Sequence, residues 1–546
     1  MKRKATKLVA LALALGMGLS IFSGCTDDGN KDSNTSPSPS SSSSATPSSS
    51  PSEGSSTKIV DTPITLKVLT TAEAGITLTG DTAVFKELSN RTNINFTIEE
   101  LPLVEPLQKL NLIMASKDLP DLFANTGATK DFFDKYGSEG ALIDIKDLVK
   151  EHAPNIQAAF DNPPFGDTPI ADLYSEGGKL YIIPVYSHPQ PGAVWCIRED
   201  WLKKVNMNVP TTVDEFTAVL KAFKDQNVNG NGNVIPLSFN GADSVRAIEN
   251  FFGVHMDFYL DPASDTIKYG PLDEGWKEAA EYINSLYKDG LLDSEYLTND
   301  GTIFDQKVTE NRVGAFYGWP MSGLEKSNGL IKAVDANAHY TTFAPLKKDA
   351  STTTGLKEGK QATQIIRSAI SSSNKYPVET IKLLDYLFTE EGIDLTNWGI
   401  EGEDYTVTNG EKKFVDSILN DPDGVATARG KRGIQRAFPF VASVEAEYSV
   451  ASEDIVKAWT TYNESGALAP LMPGVAIPEE KQSRFNSIKT QIDTYRKEKE
   501  AAFFTGTEDV STGYDAFKKE LETRGINEIL QIYNDAYTEY KANAAK

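Results

Sequence analysis

Residues 64–70 read ITLKVLT, residues 94–99 read INFTIE and residues 121–124 read DLFA, and these three segments decide the fold. Apolar and polar residues alternate in the first two, a pattern typical of β-strands. The stretches between them carry apolar residues at helical spacing, namely Val84, Phe85, Leu88, Leu107, Leu110 and Met114. The order strand, helix, strand, helix, strand predicts an α/β lobe with a largely parallel sheet.

A second set of strand and helix patterns follows this lobe. Residues 194–198, 236–239 and 313–317 predict strands. Thr212 and Glu215 have the spacing of a capping box, in which each side chain accepts a hydrogen bond from the backbone of the other. A helix is therefore predicted to begin after Thr212, and a second α/β lobe is expected.

The length of the chain also predicts two lobes. Residues 58–546 are too many for one hydrophobic core and suit two lobes of ordinary size. The first lobe is expected to start with residues 58–185, and the second to lie mainly in residues 195–315. Later segments are expected to be shared between the lobes, and from Pro478 the chain is predicted to be mainly helical.

The first 25 residues have the pattern of an export signal. A basic start is followed by an uncharged apolar run, residues 8–21, which is too short to span a membrane. Residues 22–25 then read FSGC, which resembles the lipobox of bacterial lipoproteins. Residues 1–24 are therefore predicted to be a lipoprotein signal peptide and Cys25 its lipidation site. A cleaved secretory signal that leaves Cys25 free is the alternative.

The next segment, residues 25–57, is expected to be a flexible tether. It is rich in Ser and Pro and has little apolar surface to offset the entropy of ordering. Loss of residues 1–24 would remove four positive charges and change the formal charge from −23 to −27. Such acidity argues against binding of nucleic acid or adsorption to anionic lipid. With Cys25 lipidated, Cys196 remains alone in an apolar segment and is predicted to be buried.

Several motifs together resemble one protein family. They are LNLIMASKDLPD at 110–121, GKLYIIP at 178–184, REDWLKK at 198–204 followed by VPTT at 209–212, and DYLF at 385–388 through NWGIEG at 397–402. Their order and spacing resemble the bacterial extracellular solute-binding protein family 1, especially its large lipoprotein members in Gram-positive bacteria. The resemblance covers essentially residue 58 to the end.

This resemblance implies an α/β, two-lobed, periplasmic-binding-protein-like fold of type II with discontinuous lobes and, here, a helical C-terminal region. It implies a ligand cleft between lobes that close by hinge motion. It also implies a substrate-binding protein of an ABC importer, commonly for sugars and without enzymatic activity. The expected partners are an oligosaccharide and the permease subunits, with a monomer held at the extracellular face of the membrane by its lipid alone.

A sugar site needs aromatic faces for the pyranose rings and planar polar groups for the hydroxyls. Strand ends and the crossover near residues 189–192 supply the candidates Glu73, Asn125, Thr126, Tyr186, Trp195, Asn240, Tyr317 and Trp319. Trp398 and Glu401 are further candidates, beyond a helix that Pro377 is expected to start and Gly392 to end. Core packing or a solvated loop is the alternative for each, and core packing is favoured for Trp201, Trp276 and Trp459.

A loop with part of a calcium-binding pattern lies at residues 225–233. Oxygen-bearing side chains stand at alternate positions with glycine at the sixth, as at the start of an EF-hand loop. The candidate ligands are Asp225, Asn227, Asn229, Asn231 and Asn233. In the family this loop usually ends in two acidic residues, which here are Asn233 and Val234. No cofactor is expected to be required. The loop is expected either to bind a structural calcium ion or to be a plain Asn- and Gly-rich turn.

Two other functions are weighed against sugar capture. A carbohydrate-active enzyme needs two carboxylates at a fixed separation, and no acidic residue stands in a diagnostic motif. A surface lipoprotein that binds a peptide or a partner protein would use the same fold, so the sequence separates it poorly. Abundant aromatic residues and a weak cationic pattern favour a neutral sugar.

Overall fold

The computed structural model describes residues 58–102, 105–166, 170–188, 190–349, 358–361, 367–466, 468–469 and 472–544. The predicted signal peptide, the tether and Cys25 lie outside the described residues. Within the described ranges, no helix is long and apolar enough to cross a membrane.

The strands of the described residues fall into five sheets. In chain order they are β1 Ile64–Thr71, β2 Ile94–Leu101, β3 Leu122–Phe123, β4 Ile183–Pro184, β5 Gln190–Pro191, β6 Val194–Arg198, β7 Ile235–Leu237, β8 Phe258–Asp261, β9 Thr266–Tyr269, β10 Val313–Gly318, β11 Tyr340–Phe343, β12 Glu358–Gln361, β13 Arg367–Ile370, β14 Tyr405–Thr408, β15 Glu411–Phe414 and β16 Leu468–Ala469.

The α-helices run from the first lobe to the C-terminus. They are α1 Ala83–Thr92, α2 Pro106–Ser116, α3 Lys130–Ser138, α4 Lys146–His152, α5 Pro154–Asp161, α6 Glu199–Val205, α7 Val213–Asp225, α8 Glu274–Lys288, α9 Gly301–Thr309, α10 Lys326–Lys332, α11 Pro377–Tyr386, α12 Glu390–Trp398, α13 Asp416–Leu419, α14 Val425–Arg432, α15 Val444–Val450, α16 Glu453–Ser465, α17 Glu479–Thr505, α18 Val510–Thr523 and α19 Ile526–Ala544. A long 3₁₀ helix, Ala242–Phe252, and a π-helical turn, Pro320–Glu325, complete the second lobe.

The sheet of the first lobe has the order β2-β1-β3-β13-β4. The three strands predicted from the sequence pair in parallel, with Ile64 opposite Ile94 and Val68 opposite Leu122. The expectation of a largely parallel sheet is therefore correct only for β1, β2 and β3. β13 is antiparallel to both β3 and β4. The chain enters β13 on its return from the second lobe, and an antiparallel neighbour needs no crossover helix.

The sheet of the second lobe has the order β11-β6-β10-β7 and is buried on both faces. Side chains alternate between the faces of a strand. On β6, Trp195 and Ile197 therefore enter the large core of this lobe, while Val194 and Cys196 enter a smaller core on the opposite face. The prediction that Cys196 is buried is confirmed, and its burial raises the pKa of the thiol.

Each large core is assembled from separate stretches of the chain. The core of the first lobe takes buried residues from 66–186 and again from 369–446. The core of the second lobe takes them from 195–346 and again from 485–532, which lie in the C-terminal helices. The C-terminal helices therefore pack on the second lobe, and the chain crosses between the lobes more than once.

Local signals placed α7 correctly. Thr212 Oγ1 accepts a hydrogen bond from Glu215 N at 3.3 Å, and Glu215 Oε2 accepts one from Thr212 N at 3.2 Å. The apolar stripe of the helix is buried, with Val213, Phe216, Val219, Leu220 and Phe223 in the interior. Such a box satisfies two backbone donors that a helix start leaves open.

The prediction that Gly392 ends a helix is wrong. α11 ends at Tyr386, and Gly392 lies in the first turn of α12. A Cβ at Gly392 would lie 2.0 Å from Tyr386 O and 2.6 Å from Leu387 Cα. This glycine therefore allows the two helices to approach each other closely instead of ending either one.

Candidate functional site

Trp319 lies where the central strand of the second lobe ends. β10 ends at Gly318, and the chain then enters the π-helical turn Pro320–Glu325. The amides of Gly323 and Leu324 both donate to Trp319 O, at 2.8 and 3.0 Å. Such turns occur frequently at functional sites. The Trp319 side chain is 49% exposed, which is unusual for a residue held this firmly by its backbone.

A cavity of about 300 Å³ opens beside this ring. It is lined by Ser187, His188, Gln190, Pro191, Trp319, Pro320, Met321, Ser322, Glu447 and Trp459. The lining thus comes from the second-lobe strand end, the crossover between lobes and the helices α15 and α16. Because segments of both lobes meet here, the cavity lies where a hinged cleft is expected.

One polar pair lines the same cavity as Trp319. Gln190 Nε2 donates to Glu447 Oε2 at 3.1 Å, so the crossover and α15 hold the pair together. Burial raises the pKa of the Glu447 carboxyl to about 7, while Arg429 acts in the opposite direction. A carboxylate and an amide fixed side by side suit the paired hydroxyls of a sugar.

Aromatic rings form the wall beside the polar pair. Trp459 packs on Tyr448 with ring centroids 5.1 Å apart, and Tyr448 meets His188 edge-on at 6.3 Å. The Trp459 side chain is 5% exposed and also lines the cavity, so its predicted role in core packing rather than ligand contact stays a prediction. The wall is therefore rigid and apolar, as ring stacking requires.

The polar candidates of the first lobe lie at the strand ends as predicted, but with other partners. Glu73 forms an ion pair with Arg436 at 3.0 Å. The backbone of Asn125 receives a hydrogen bond from Thr71 N and donates one to Ala437 O. Thr126 is 2% exposed, and among the described residues its Oγ1 has no hydrogen-bond partner. None of these three lines the cavity at Trp319, so their role in binding stays a prediction.

Four other candidates do not line this cavity, and their role in binding stays a prediction. Tyr186, Trp195 and Trp398 are at most 2% exposed and belong to the lobe cores. Tyr186 donates to Ala159 O, Trp195 packs among five aromatic rings, and Trp398 packs on Tyr405 and Phe414. Glu401 is exposed beside the β14–β15 hairpin. These three rings pack in cores formed by segments that are distant in the sequence. The local sequence therefore does not show that they are buried.

The remaining candidates have intermediate positions. Tyr317 is partly buried and packs on Trp195 with ring centroids 5.3 Å apart. Asn240 is exposed after β7 and accepts from Ser244 at 3.5 Å. Trp201 and Trp276 are fully buried, as predicted.

Neither Glu447 nor Gln190 is among the binding residues predicted from the sequence. Gln190 is identified only as part of the crossover between the lobes. Glu447 stands 257 residues from Gln190, on a seven-residue helix without a recognisable motif. The one local signal was the Pro-rich crossover itself, which marks a chain segment that cannot continue a helix. The cavity therefore needs tertiary structure to be found.

The loop at residues 225–233 does not fit a calcium ion well. Asn227 Oδ1 accepts from Gly232 N at 2.7 Å, and Asn229 Oδ1 accepts from Asn231 N at 3.0 Å. Asn233 Oδ1 accepts from Asn229 Nδ2 at 2.8 Å. These three side-chain oxygens already accept hydrogen bonds from within the loop. Asp225 is the one carboxylate among the five candidate calcium ligands. The geometry favours an Asn- and Gly-rich turn closed by its own hydrogen bonds.

We therefore expect this loop to be insensitive to calcium. The melting temperature of metal-stripped protein should stay the same in millimolar calcium and in chelator, because one carboxylate gives a weak site. Differential scanning calorimetry checks this, with Asp289→Ala as the surface control for Asp225→Ala. A calcium-dependent rise that Asp225→Ala removes and Asp289→Ala retains would establish the metal site instead.

Comparison with known proteins decides the family. The model of the family described as bacterial extracellular solute-binding protein matches residues 77–394, more than half of the chain. The chain belongs to this family. The resemblance drawn from the sequence motifs is therefore confirmed.

Two curated relatives match over most of their length. The fructooligosaccharide ABC transporter substrate-binding protein FusA of Streptococcus pneumoniae is 25% identical over 463 residues, covering 80% of this chain and 83% of FusA. The lipoprotein LipO of Bacillus subtilis is 21% identical over 474 residues, covering 84% of this chain and 89% of LipO. Both matches are longer than the match to the family model.

Solved structures share the fold. The alginate-binding protein AlgQ2 without calcium ion has a TM-score of 0.68 and 29% identity, covering 88% of this chain and 99% of AlgQ2. FusA in complex with kestose has a TM-score of 0.67 at 22% identity, covering 88% of this chain and all of that one. The fold is thus that of the two-lobed solute-binding proteins, as predicted.

Proposed function

We propose that this protein captures an oligosaccharide in the cleft at Trp319 and delivers it to an ABC importer, without catalysis. The observation that carries this is a cavity lined by both the half-exposed Trp319 and the hydrogen-bonded Gln190–Glu447 pair. A ring face with a fixed amide and carboxylate is the combination that a pyranose or furanose ring needs. The family and the sugar-binding relatives support the same conclusion.

We infer that the lobes close on the ligand, and the make-up of the cavity lining supports this. Trp319 belongs to the second lobe, Gln190 to the crossover and Glu447 to a helix that follows the return to the first lobe. A bound sugar that touches all three favours the closed state, because it gains contacts that the open state lacks. Binding and hinge closure are then one event.

A ligand screen tests the proposed function. A ligand at about a hundred times its dissociation constant adds about 2.7 kcal/mol to the free energy of unfolding, which a thermal-shift assay resolves. Neutral and acidic oligosaccharides of two to five units should be compared with an equal set of peptides. Stabilisation by a peptide set alone would contradict the proposal and favour a peptide-binding surface lipoprotein.

The chain is proposed to work at the extracellular face of the membrane, held by a lipid on Cys25. We expect Cys25→Ser to release the protein into the medium or to leave the precursor unprocessed, because a thioether-linked diacyl group is the proposed stable anchor. Metabolic labelling with a radioactive fatty acid, followed by cell fractionation, measures this. Cys196→Ser is the matched control and should retain label and anchorage. Labelling that persists in Cys25→Ser would contradict the assignment.

A further inference from the structure

The charge of the cavity at Trp319 has consequences for the sugar it accepts. Glu447 is the acidic residue in the lining, and the described lining residues include neither Lys nor Arg. The Gln190 amide donates to Glu447 Oε2, so it stabilises the ionised form of that carboxylate. A ligand unit on the Trp319 ring therefore meets a hydrogen-bond acceptor with negative charge.

Arg429 is the cation that acts on Glu447, but it does not line the cavity. The Arg429 side chain is only 9% exposed, its Nη2 donates to Gln435 Oε1 at 2.8 Å, and its Cζ lies 5.3 Å from the Phe414 ring centroid. Its positive charge acts on the Glu447 carboxyl, with no ion pair between the two among the described residues. Arg429 thus offsets part of the charge of Glu447 without contacting the ligand space.

Membership of the family does not decide the charge of the ligand. FusA is named for a neutral sugar, fructooligosaccharide, and AlgQ2 for alginate, whose units are uronic acids. The choice therefore depends on the residues of this chain. A uronate carboxylate placed beside Glu447 would face a like charge in a partly buried space, where screening by salt is weak.

We propose that Glu447 makes the Trp319 subsite specific for neutral sugar units and excludes uronic acids. The Glu447 carboxylate accepts hydrogen bonds from ligand hydroxyls and repels a ligand carboxylate, while Gln190 holds it in place. This rests on the proposed function, since it assumes that the cavity holds a sugar.

The test compares sugars that differ only in charge. Pools of oligosaccharides of two to five units from inulin, mannan and galactan are offered to the protein at pH 8, beside the same pools oxidised at their primary hydroxyls to carboxylates. Native mass spectrometry identifies the bound species, and calorimetry measures their affinities. We expect neutral members to bind at least about ten-fold more tightly than their oxidised counterparts.

Variants of α15 assign this selectivity to one residue. Glu447→Gln keeps the shape and should bring the affinities for neutral and oxidised sugars to within about three-fold. Glu445→Gln, an exposed change on the same helix, should keep the ten-fold difference. Selectivity that survives in Glu447→Gln at an unchanged melting temperature would overturn the proposal, as would tighter binding of oxidised sugars by the native protein.

The pH dependence separates Glu447 from its neighbours. Arg429 is the charged group that acts on Glu447 from α14, His188 also lines the cavity, and Lys412 on β15 acts on Glu445 instead. Since the pKa of Glu447 is about 7, its repulsion is present at pH 8 and is largely lost at pH 5.5, where uronates are still ionised. The affinity ratio should therefore shrink at pH 5.5 in the native protein and stay flat in Glu447→Gln.

The possible failures are distinguishable. If no pool binds, whether neutral or oxidised, the proposed function fails and this inference fails with it. If neutral and oxidised pools bind equally well, the protein is a sugar-binding protein and only the inference about Glu447 is overturned. A pH dependence that persists in Glu447→Gln assigns the effect to a group other than Glu447 and likewise overturns it.

Discussion

Replacing Trp319 with alanine is expected to weaken oligosaccharide binding by roughly 1 to 3 kcal/mol, or about 5- to 150-fold in the dissociation constant. The ring stands half-exposed at the cavity, so a bound sugar would bury the face that is now open. The melting temperature without ligand should change little, because the side chain contributes little to either large core. Isothermal titration calorimetry with a sugar from the screen measures the affinity.

Met321→Ala is the matched control for this substitution. Met321 is 59% exposed in the same π-helical turn and lines the same cavity, but it offers no ring face. We expect it to lose at most a few-fold in affinity, since a flexible side chain stacks poorly on a sugar ring. Equal effects of the two substitutions would show that general apolar contact matters there and would remove the stacking role of Trp319.

The regular parts of the fold were predictable because their signals are local. Alternation of apolar residues placed β1 and β2, and the Thr212–Glu215 box placed the start of α7. The direction of β13 was not predictable in this way. Its partners β3 and β4 stand far away in the sequence, and pairing direction depends on how the chain returns from the second lobe.

The candidate site was predictable only at its strand end. Trp319 follows an apolar strand directly, so its position at the end of that strand could be inferred from the sequence. Trp195 sits inside such a strand, where all five residues are buried, and a ring there fills the core. Glu447 and Trp459 reach the cavity from α15 and α16, and only tertiary packing reveals what those helices face.

A buried group of four charges joins the C-terminal helices to the second lobe. Arg246 Nε lies 3.3 Å from Glu249 Oε1 and 3.1 Å from Glu500 Oε1, and Arg496 Nη1 lies 2.5 Å from Glu500 Oε2. All four side chains are at most 7% exposed. When both carboxyl groups are ionised, the two arginines and two glutamates compensate one another, so the loss of any one leaves a buried charge without its counterpart.

Arg496→Met is therefore expected to lower the free energy of unfolding by about 3 to 5 kcal/mol at pH 8, the cost of breaking a buried ion pair. Methionine keeps most of the side-chain length, which limits the effect of a cavity. Urea denaturation followed by circular dichroism measures the change. Arg484→Met is the control on the same helix, because Arg484 pairs with Glu528 at 2.8 Å while 61% exposed. It should cost less than about 1 kcal/mol.

The pH dependence of this loss identifies its electrostatic origin. Burial raises the pKa of both Glu249 and Glu500. A carboxyl group with a raised pKa in the folded state holds its proton at a pH where the unfolded chain has lost it, so stability falls as the pH rises from about 5 to 8. Removing the Arg496 charge raises these pKa values further and steepens the fall. The difference between native protein and Arg496→Met should thus be larger at pH 8 than at pH 5, whereas a purely steric defect would give the same difference at both.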